Sequence, residues 1–445
     1  MKLLPFLFIL IACQSQPSKK TGQKLGRVND SNNTVLMDTS VKRVVSQEMK
    51  NRFHLPLRKW KKMVPKFYFD NRFETARGVP LYREENSLPI ITVVTMPENL
   101  VKKDTEDSGS INDSPWYAFK VGVLGKKTRE VLIELSPALG EPARYMPWMS
   151  LDQGKNWQKL KTVEQLIDGK WTKSSKSQVG FRSRFRLRLR PGREVLVSAQ
   201  PTHSPLHIKN WVQSKIERKS FIKAIDLGEL SGFLMSENGK LDRDTLIVIG
   251  GMHPPEVTGR RGLEYFVNHM VGEGQTAKLF RKRFNLLVVP LLNEKGIALG
   301  HWRHNESGID LNRDWGVYGF NYAATQTVKE AIEKLKDRGA RFVGFVDFHS
   351  TYSLKAYVPD VQSEFMDCIA QRIRGLSKAW EKWEMTKLSL KKYSSVGAMW
   401  AANELRVPSV VLEFPDHFND GELREFAHSI SHIFMQRLLE PGLCR

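Results

Sequence analysis

An α/β domain with a mixed, mainly parallel sheet flanked by helices, preceded by a smaller all-β sandwich, is the architecture this 445-residue chain predicts. Three observations predict it. Short strand-like segments separated by turn residues run from about Pro65 to Gln200. Near-continuous apolar runs follow, as in strands buried on both faces. Helical patterns of period 3.6 lie between and after those runs. A composition of 41% hydrophobic and 26% charged residues excludes a largely disordered or fibrous chain. At roughly 100–200 residues per domain, two folded domains are expected.

Residues 1–12 read as a secretory leader, with Met1-Lys2 followed by a short apolar stretch that is too short to span a bilayer. The stretch ends in Leu10-Ile11-Ala12-Cys13, which resembles the bacterial lipobox, so lipidation of Cys13 is expected. Gln14 follows, as in outer-membrane sorting. The expected location is the cell envelope, on the outer membrane and facing the periplasm. Residues 13–60 begin with Ser, Lys, Gln, Asn and Gly and read as a flexible tether.

The sandwich is placed at 61–203. Its strand candidates include Trp116–Val123 and Val131–Leu135, with a turn at Gln153–Asn156. In the most regular strand, period-two alternation puts Phe181, Ser183, Phe185, Leu187 and Leu189 on one face. Arg182, Arg184, Arg186, Arg188 and Arg190 occupy the other. A bare row of like charges repels itself, so something should neutralise it. Acidic cross-strand neighbours are one candidate; an anionic lipid or glycan partner is the other.

A linker is expected around Pro201–Ser220, inside the start of the second domain at 204–445. That domain has buried-strand runs at Thr245–Gly250, Asn285–Pro290, Phe342–Phe348 and Ser409–Phe414. Helical patterns cover about 260–271, 325–336, 363–383 and 421–439. Ligands in such sheets bind beyond the strand C-termini, where the polar residues of interest fall.

Lys and Arg number 69 against 48 Asp and Glu, a net +21. Such a chain favours anionic surroundings, and an envelope location makes nucleic acid a poor match. Three cysteines, Cys13, Cys368 and Cys444, build neither a disulfide framework nor a cysteine-only zinc site. Cys368 lies in an amphipathic helical pattern and is expected to be a buried thiol, although pairing with Cys444 stays open. No phosphate loop and no dinucleotide fingerprint occurs.

The chemistry sits on strand exits. His253 and Glu256 follow the first buried run, and alone they could be an exposed loop pair. His349 ends the third run, where it points into the same crevice or serves as a core histidine. Two histidines and a carboxylate leaving an open position form a catalytic zinc set. Glu413, inside Val-Val-Leu-Glu-Phe, is costly unless it is ion-paired or faces a site. Arg303, Asp310, Asn312 and Arg313 lie between; Asn and Arg can grip a carboxylate, or form a surface turn.

Taken in order, these motifs resemble the zinc carboxypeptidase family typified by carboxypeptidase A. They are His253-x-x-Glu256, Asn293-x-x-Gly296, Trp302-Arg303, Asp310-x-Asn312-Arg313, His349-Ser350 and Glu413. The cytosolic-carboxypeptidase subgroup, which carries an N-terminal β-sandwich, is the nearest in pattern. The resemblance implies one zinc held by His253, Glu256 and His349, with Asp310 orienting a ligand histidine. It implies Glu413 as general base and acid, and Arg303 as oxyanion stabiliser. It gives Asn312 and Arg313 to the substrate's terminal carboxylate and Tyr393 to closure over the substrate. The implied substrate is a peptide with a free C-terminus, peptidoglycan stem peptides being one candidate. Two departures stand out. Asn293-Glu294-Lys295-Gly296 replaces Asn-Pro-Asp-Gly, for which only a structural change is expected. Trp400, Ala401 and Ala402 fall near the side-chain pocket without a basic residue, which places a preference for C-terminal glutamate in doubt. An aspartoacylase-type amide deacylase and a non-catalytic binding lipoprotein are the competing readings.

Overall fold

The structure is a computed structural model. It describes residues 61–445, apart from 65, 96, 97, 99–114, 138–143, 177–181, 317, 318, 362, 363 and 445. The leader, Cys13, the tether and Phe181 therefore lie outside the described residues. No described helix is long and apolar enough to cross a membrane.

The first part of the chain is built from β1 (Lys61–Val64), β2 (Phe67–Asp70), β3 (Val79–Glu85), β4 (Leu88–Thr95), β5 (Ala118–Val123) and β6 (Arg129–Pro137). It continues with β7 (Trp148–Ser150), β8 (Gln158–Lys159), β9 (Val163–Ile167), β10 (Lys170–Ser174), β11 (Ser183–Leu189) and β12 (Glu194–Ser198). They form two sheets, in the orders β1-β2-β5-β12-β7-β8 and β10-β9-β11-β6-β4-β3. Alternation drives this arrangement: β11 buries Ser183, Phe185, Leu187 and Leu189 and turns its arginines outward. The inward residues meet Phe67, Phe69, Phe119 and Val121 of the facing sheet in one core. Gln153 and Gly154 both take positive φ, the conformation the turn there requires.

Acidic cross-strand neighbours answer most of the arginine row. Arg182 pairs with Glu134 at 2.6 Å, Arg184 with Glu164 at 2.8 Å and Arg186 with Glu130 at 2.7 Å. The Arg184 guanidinium also stacks 4.1 Å from the centre of the Trp171 ring.

The expected linker is instead a helix, α1 (Pro205–Arg218). Ser204 caps it by accepting from the His207 N–H, proline occupies the first turn, and Ile208 and Val212 bury one face. The rest of the chain supplies β13 (Ile222–Ala224), β14 (Ser231–Met235), β15 (Asp244–Gly250), α2 (Val257–Met270), α3 (Gln275–Arg283) and β16 (Phe284–Leu291). Then come α4 (Glu294–Ala298), α5 (Ala323–Asp337), β17 (Arg341–Thr351), β18 (Lys355–Pro359), α6 (Glu364–Arg374) and β19 (Glu384–Leu388). The chain closes with α7 (Gly397–Trp400), β20 (Ser409–Pro415) and α8 (Asp420–Leu439).

Eight strands form one mixed sheet in the order β13-β14-β16-β15-β17-β20-β18-β19. Its centre, β16-β15-β17-β20, is parallel. Alternate residues of β15 feed opposite cores. Leu246 and Val248 pack with Leu263 and Phe266 of α2 and Phe426 and Ile430 of α8. Ile247 and Ile249 pack with Val328 and Ile332 of α5. Both faces are covered, which is why the central strands read as continuous apolar runs.

The pattern expected as one helix over 363–383 ends at Arg374. Gly375 follows, and Trp380 and Trp383 then turn back onto Phe426. Cys368 of α6 is disulfide-bonded to Cys444, with a Cα–Cα distance of 5.7 Å, so the expected free thiol is corrected. The fold brings α6 against α8, and the residues after α8 then return to Cys368. The bridge closes a chain separation of 76 residues. Replacing both cysteines by serine is expected to cost about 2–4 kcal/mol, read as a lower melting temperature that reductant no longer changes.

Candidate metal centre

The centre is assembled at the C-terminal end of the parallel strands. β15 exits into Gly251, whose φ of +73° and contact with the Pro290 carbonyl leave no room for a side chain. The turn then delivers His253 and places Glu256 immediately before α2. Glu256 makes no side-chain cap to its helix, because its carboxylate goes elsewhere. α2 can approach because Gly259 lies against the His349 backbone, where a Cβ would come within 2.5 Å of the carbonyl oxygen.

Three side chains converge. His253 Nδ1 lies 2.8 Å from Glu256 Oε1, and His349 Nδ1 lies 2.8 Å from Glu256 Oε2. The two Nδ1 atoms are 3.1 Å apart. Two imidazole nitrogens facing each other beside one carboxylate are a cation-binding donor set, since a shared proton can satisfy one nitrogen only. This His2Glu set fits zinc in chemistry and in convergence. Against burial, which pushes it up, the two histidines hold Glu256 well below the usual carboxylate range.

The far side of each ring is also held. His253 Nε2 meets Asp310 Oδ1 at 3.1 Å, while Asp310 Oδ2 accepts from Arg303 Nε at 2.6 Å. Asp310 thus holds His253 and Arg303 at once. Against its burial, Arg303 and His253 hold it well below the carboxylate range. His349 Nε2 lies 3.1 Å from Asp347 Oδ2 and 3.2 Å from Asn312 Nδ2. Asp347, two residues before His349 on the same face of β17, was not singled out in the sequence, although alternation could have found it.

Glu413 sits in register beside His349 on the neighbouring parallel strand, so both side chains project from one face. Its Oε2 is buried and has no hydrogen-bond partner among the described groups. Burial, and after it the charge of Glu256, push Glu413 up to about 8. In the antiparallel neighbour β18, Lys355 occupies the next place in the row and pairs with Glu384 at 3.2 Å. This basic residue comes from a different strand than the segment around Trp400, and the sequence reading missed it.

Arg313 donates to the Asn312 carbonyl at 2.9 Å and forms no carboxylate ion pair among the described residues. Asn312 is more committed than expected: its Oδ1 accepts from the Gly397 N–H at 3.2 Å while its Nδ2 meets His349. Tyr393 lies in the loop between β19 and α7, packed at the edge of the core that contains Trp315 and Trp400. Trp400 is buried against Trp315, Phe320 and Phe345, and so belongs to the core. Asn293 keeps a purely structural task. It accepts from the Gly296 N–H at 3.0 Å and donates to the Met252 carbonyl at 2.8 Å, next to His253.

The sandwich reaches the centre through residues the sequence reading missed. Glu98 is buried under the segment that carries Arg303. It accepts from the backbone N–H groups of Trp302, Arg303 and His304, and from the His304 ring. Arg144 pairs with Asp416 at 2.7 Å just past β20 and lies over the Trp302 and Tyr352 rings. Trp302 itself joins the sandwich core.

Residues 222–436 match the zinc carboxypeptidase family. Among curated relatives, cytosolic carboxypeptidase 3 of Bos taurus is 34% identical over 73 residues, 16% of this chain and 7% of that protein. An inactive metallocarboxypeptidase, ECM14 of Ajellomyces capsulatus, is 25% identical over 299 residues, 57% of this chain and 47% of that protein. The first curated relatives are matched over only 6–7% of their own length. Among solved structures, a metallo-carboxypeptidase from Burkholderia cenocepacia superposes with a TM-score of 0.66 at 13% identity, covering 84% of this chain and all of that one.

Proposed function

Because residues 222–436 match the zinc carboxypeptidase family, we propose that this protein is a zinc-dependent metallocarboxypeptidase that removes C-terminal residues from peptides. The observation that carries the reading is the convergence of His253, Glu256 and His349, with Glu413 one strand away and Arg303 tied to the same Asp310. A binding scaffold has no need of a carboxylate next to the triad whose Oε2 is buried without a hydrogen-bond partner.

His253, Glu256 and His349 hold the ion, which when bound supplies Lewis acidity and an activated water. Glu413 takes the proton of the attacking water and later delivers it to the leaving amine. With a cation held by the three ligands, the charge of Glu256 would be screened and Glu413 lowered from its raised position, toward the range in which it both accepts and returns a proton. Arg303, aimed by Asp310, donates to the developing oxyanion. Arg313 grips the terminal carboxylate, and Asn312 holds both the His349 ring and the Gly397 backbone, so its part in substrate binding is to shape the floor beside Arg313. Tyr393 closes over the bound residue.

The location follows the leader: a lipoprotein anchored through Cys13 in the cell envelope. The Cys368–Cys444 bridge supports this reading, since disulfides persist in oxidising compartments. Envelope peptides, including peptidoglycan stems, are then the substrates within reach. Arg188 and Arg190, which have no carboxylate partner among the described residues, leave a smaller surface for anionic lipid or glycan than the full arginine row suggested.

The test is a panel of free-acid peptides, their C-terminal amides, peptidoglycan stems and N-acyl amino acids. Release from free-acid peptides is expected, with loss on amidation, loss on chelation and recovery with zinc. Activity confined to N-acyl amino acids would move the protein to the deacylases. Zinc binding without any release would leave the binding-protein reading.

A further inference from the structure

A second cluster of metal-ligating side chains lies away from the candidate centre. His203 precedes α1, His207 is in its first turn, and Glu264 projects from α2. His203 Nε2 lies 3.1 Å from Glu264 Oε1, and His207 Nε2 lies 3.6 Å from Glu264 Oε2. The three donor atoms fall within 4.8 Å of one another. Zinc bonds to nitrogen and oxygen of about 2.1 Å in tetrahedral geometry require donors about 3.4 Å apart, and the two measured separations bracket that value. His203 and Glu264 are buried, while the His207 side chain is 57% exposed, so the cluster has a rigid floor and an open side.

From this geometry we propose that His203, His207 and Glu264 form a second divalent-metal site, of the zinc class, which clamps α1 onto α2. Two imidazoles and one carboxylate are borderline-soft donors that suit zinc better than calcium or magnesium. Burial lowers His203 to about 4, and Glu264 is held at about 2 against its burial by the two histidines, whereas the bond to Glu264 raises His207, so a metal at this site must displace the His207 proton. Arg260, Arg261 and Lys215 are the cations that act on the cluster; the Arg260 guanidinium is turned to the His253 and Pro254 carbonyls and that of Arg261 to Asp420. The clamp has a structural purpose. α1 is the segment that leaves the sandwich, and α2 is the helix that begins directly after Glu256. Fixing one to the other fixes the approach of Glu256 to its histidines. The site needs no catalytic turnover, and its zinc can be counted whether or not the chain releases residues from peptides.

The full chain, equilibrated with micromolar zinc and freed of unbound metal, should carry about two zinc ions. His207→Ala should carry about one and fold normally, because the position is exposed on the first turn of a helix. His349→Ala should also carry about one, and the double variant essentially none. Zinc should raise the melting temperature of His349→Ala but not that of the double variant. A single zinc in the parent that His207→Ala retains would overturn the proposal, as would two zinc ions in both. Loss of peptide release without loss of the second zinc would reject the activity and leave this site standing.

Discussion

Glu413→Gln is expected to lower kcat for C-terminal release by about 10²–10⁴-fold while KM and zinc content stay nearly unchanged. Glutamine preserves the volume and one oxygen, so packing on β20 survives. The side chain loses only its ability to accept and return a proton. The control is stability. In the metal-free protein the Glu413 pKa rises from 4.5 to about 8 on folding, because burial and Glu256 oppose its charge. A carboxylate raised in this way favours the fold below its unfolded pKa, and that contribution is lost as pH rises through the folded value. Glutamine carries no such loss. Metal-free Glu413→Gln should therefore melt at or above the parent, with the gap widening between pH 4.5 and about 8. A variant that loses zinc and melts lower would show a structural carboxylate and remove Glu413 from the proton-transfer role.

What the sequence made legible, and what it did not, divides along a physical line. The convergence of His253, Glu256 and His349, and the place of Glu413 beside His349, could be read because α/β sheets bring the residues of strand exits together. The central strands could be read because burial on both faces leaves continuous apolar runs. α1 was misread as linker although Ser204-Pro205 is a recognisable helix start, because only Ile208 and Val212, past Pro205, form its buried stripe, with Lys209 and Asn210 between them. Cys368 was misread because its helical pattern reports burial but says nothing about a C-terminal segment returning from elsewhere. The arginine row was legible as a row, but its neutralisation depended on register, which sets Arg184 against Glu134 and Glu164 and Arg186 near Glu130. Asp347 follows from alternation once His349 is fixed as a ligand. Glu98 follows from nothing in the chain. Its partners are mainly backbone N–H groups, which every residue but proline possesses, and they lie 204–206 residues away.

That makes Glu98→Ala the sharper test of how the two parts of the chain cooperate. Removing the carboxylate takes away the acceptor of the Trp302, Arg303 and His304 N–H groups and of the His304 ring. At about 1–3 kcal/mol for each unsatisfied buried group, with partial relaxation, a loss of several kcal/mol is expected. Glu98→Gln keeps one oxygen for the Trp302 and Arg303 N–H groups but offers an N–H donor where the His304 groups now find an acceptor, so it should lie between. The functional consequence follows from position. The N–H of Arg303 is tied to Glu98 at 2.5 Å, and its guanidinium is tied to Asp310. With the first tie gone, the guanidinium keeps its carboxylate but loses a fixed backbone, and an oxyanion donor displaced by about 1 Å can cost on the order of 100-fold. Assayed well below the melting temperature, Glu98→Ala should therefore lose kcat with zinc retained and KM little changed, and Glu98→Gln should recover part of it. A variant that is destabilised yet keeps its full kcat would mean that Trp302, packed into the sandwich core, sets the position of Arg303. Glu98 would then be a structural tie between the sandwich and the α/β domain, and the sandwich would position Arg303 through packing.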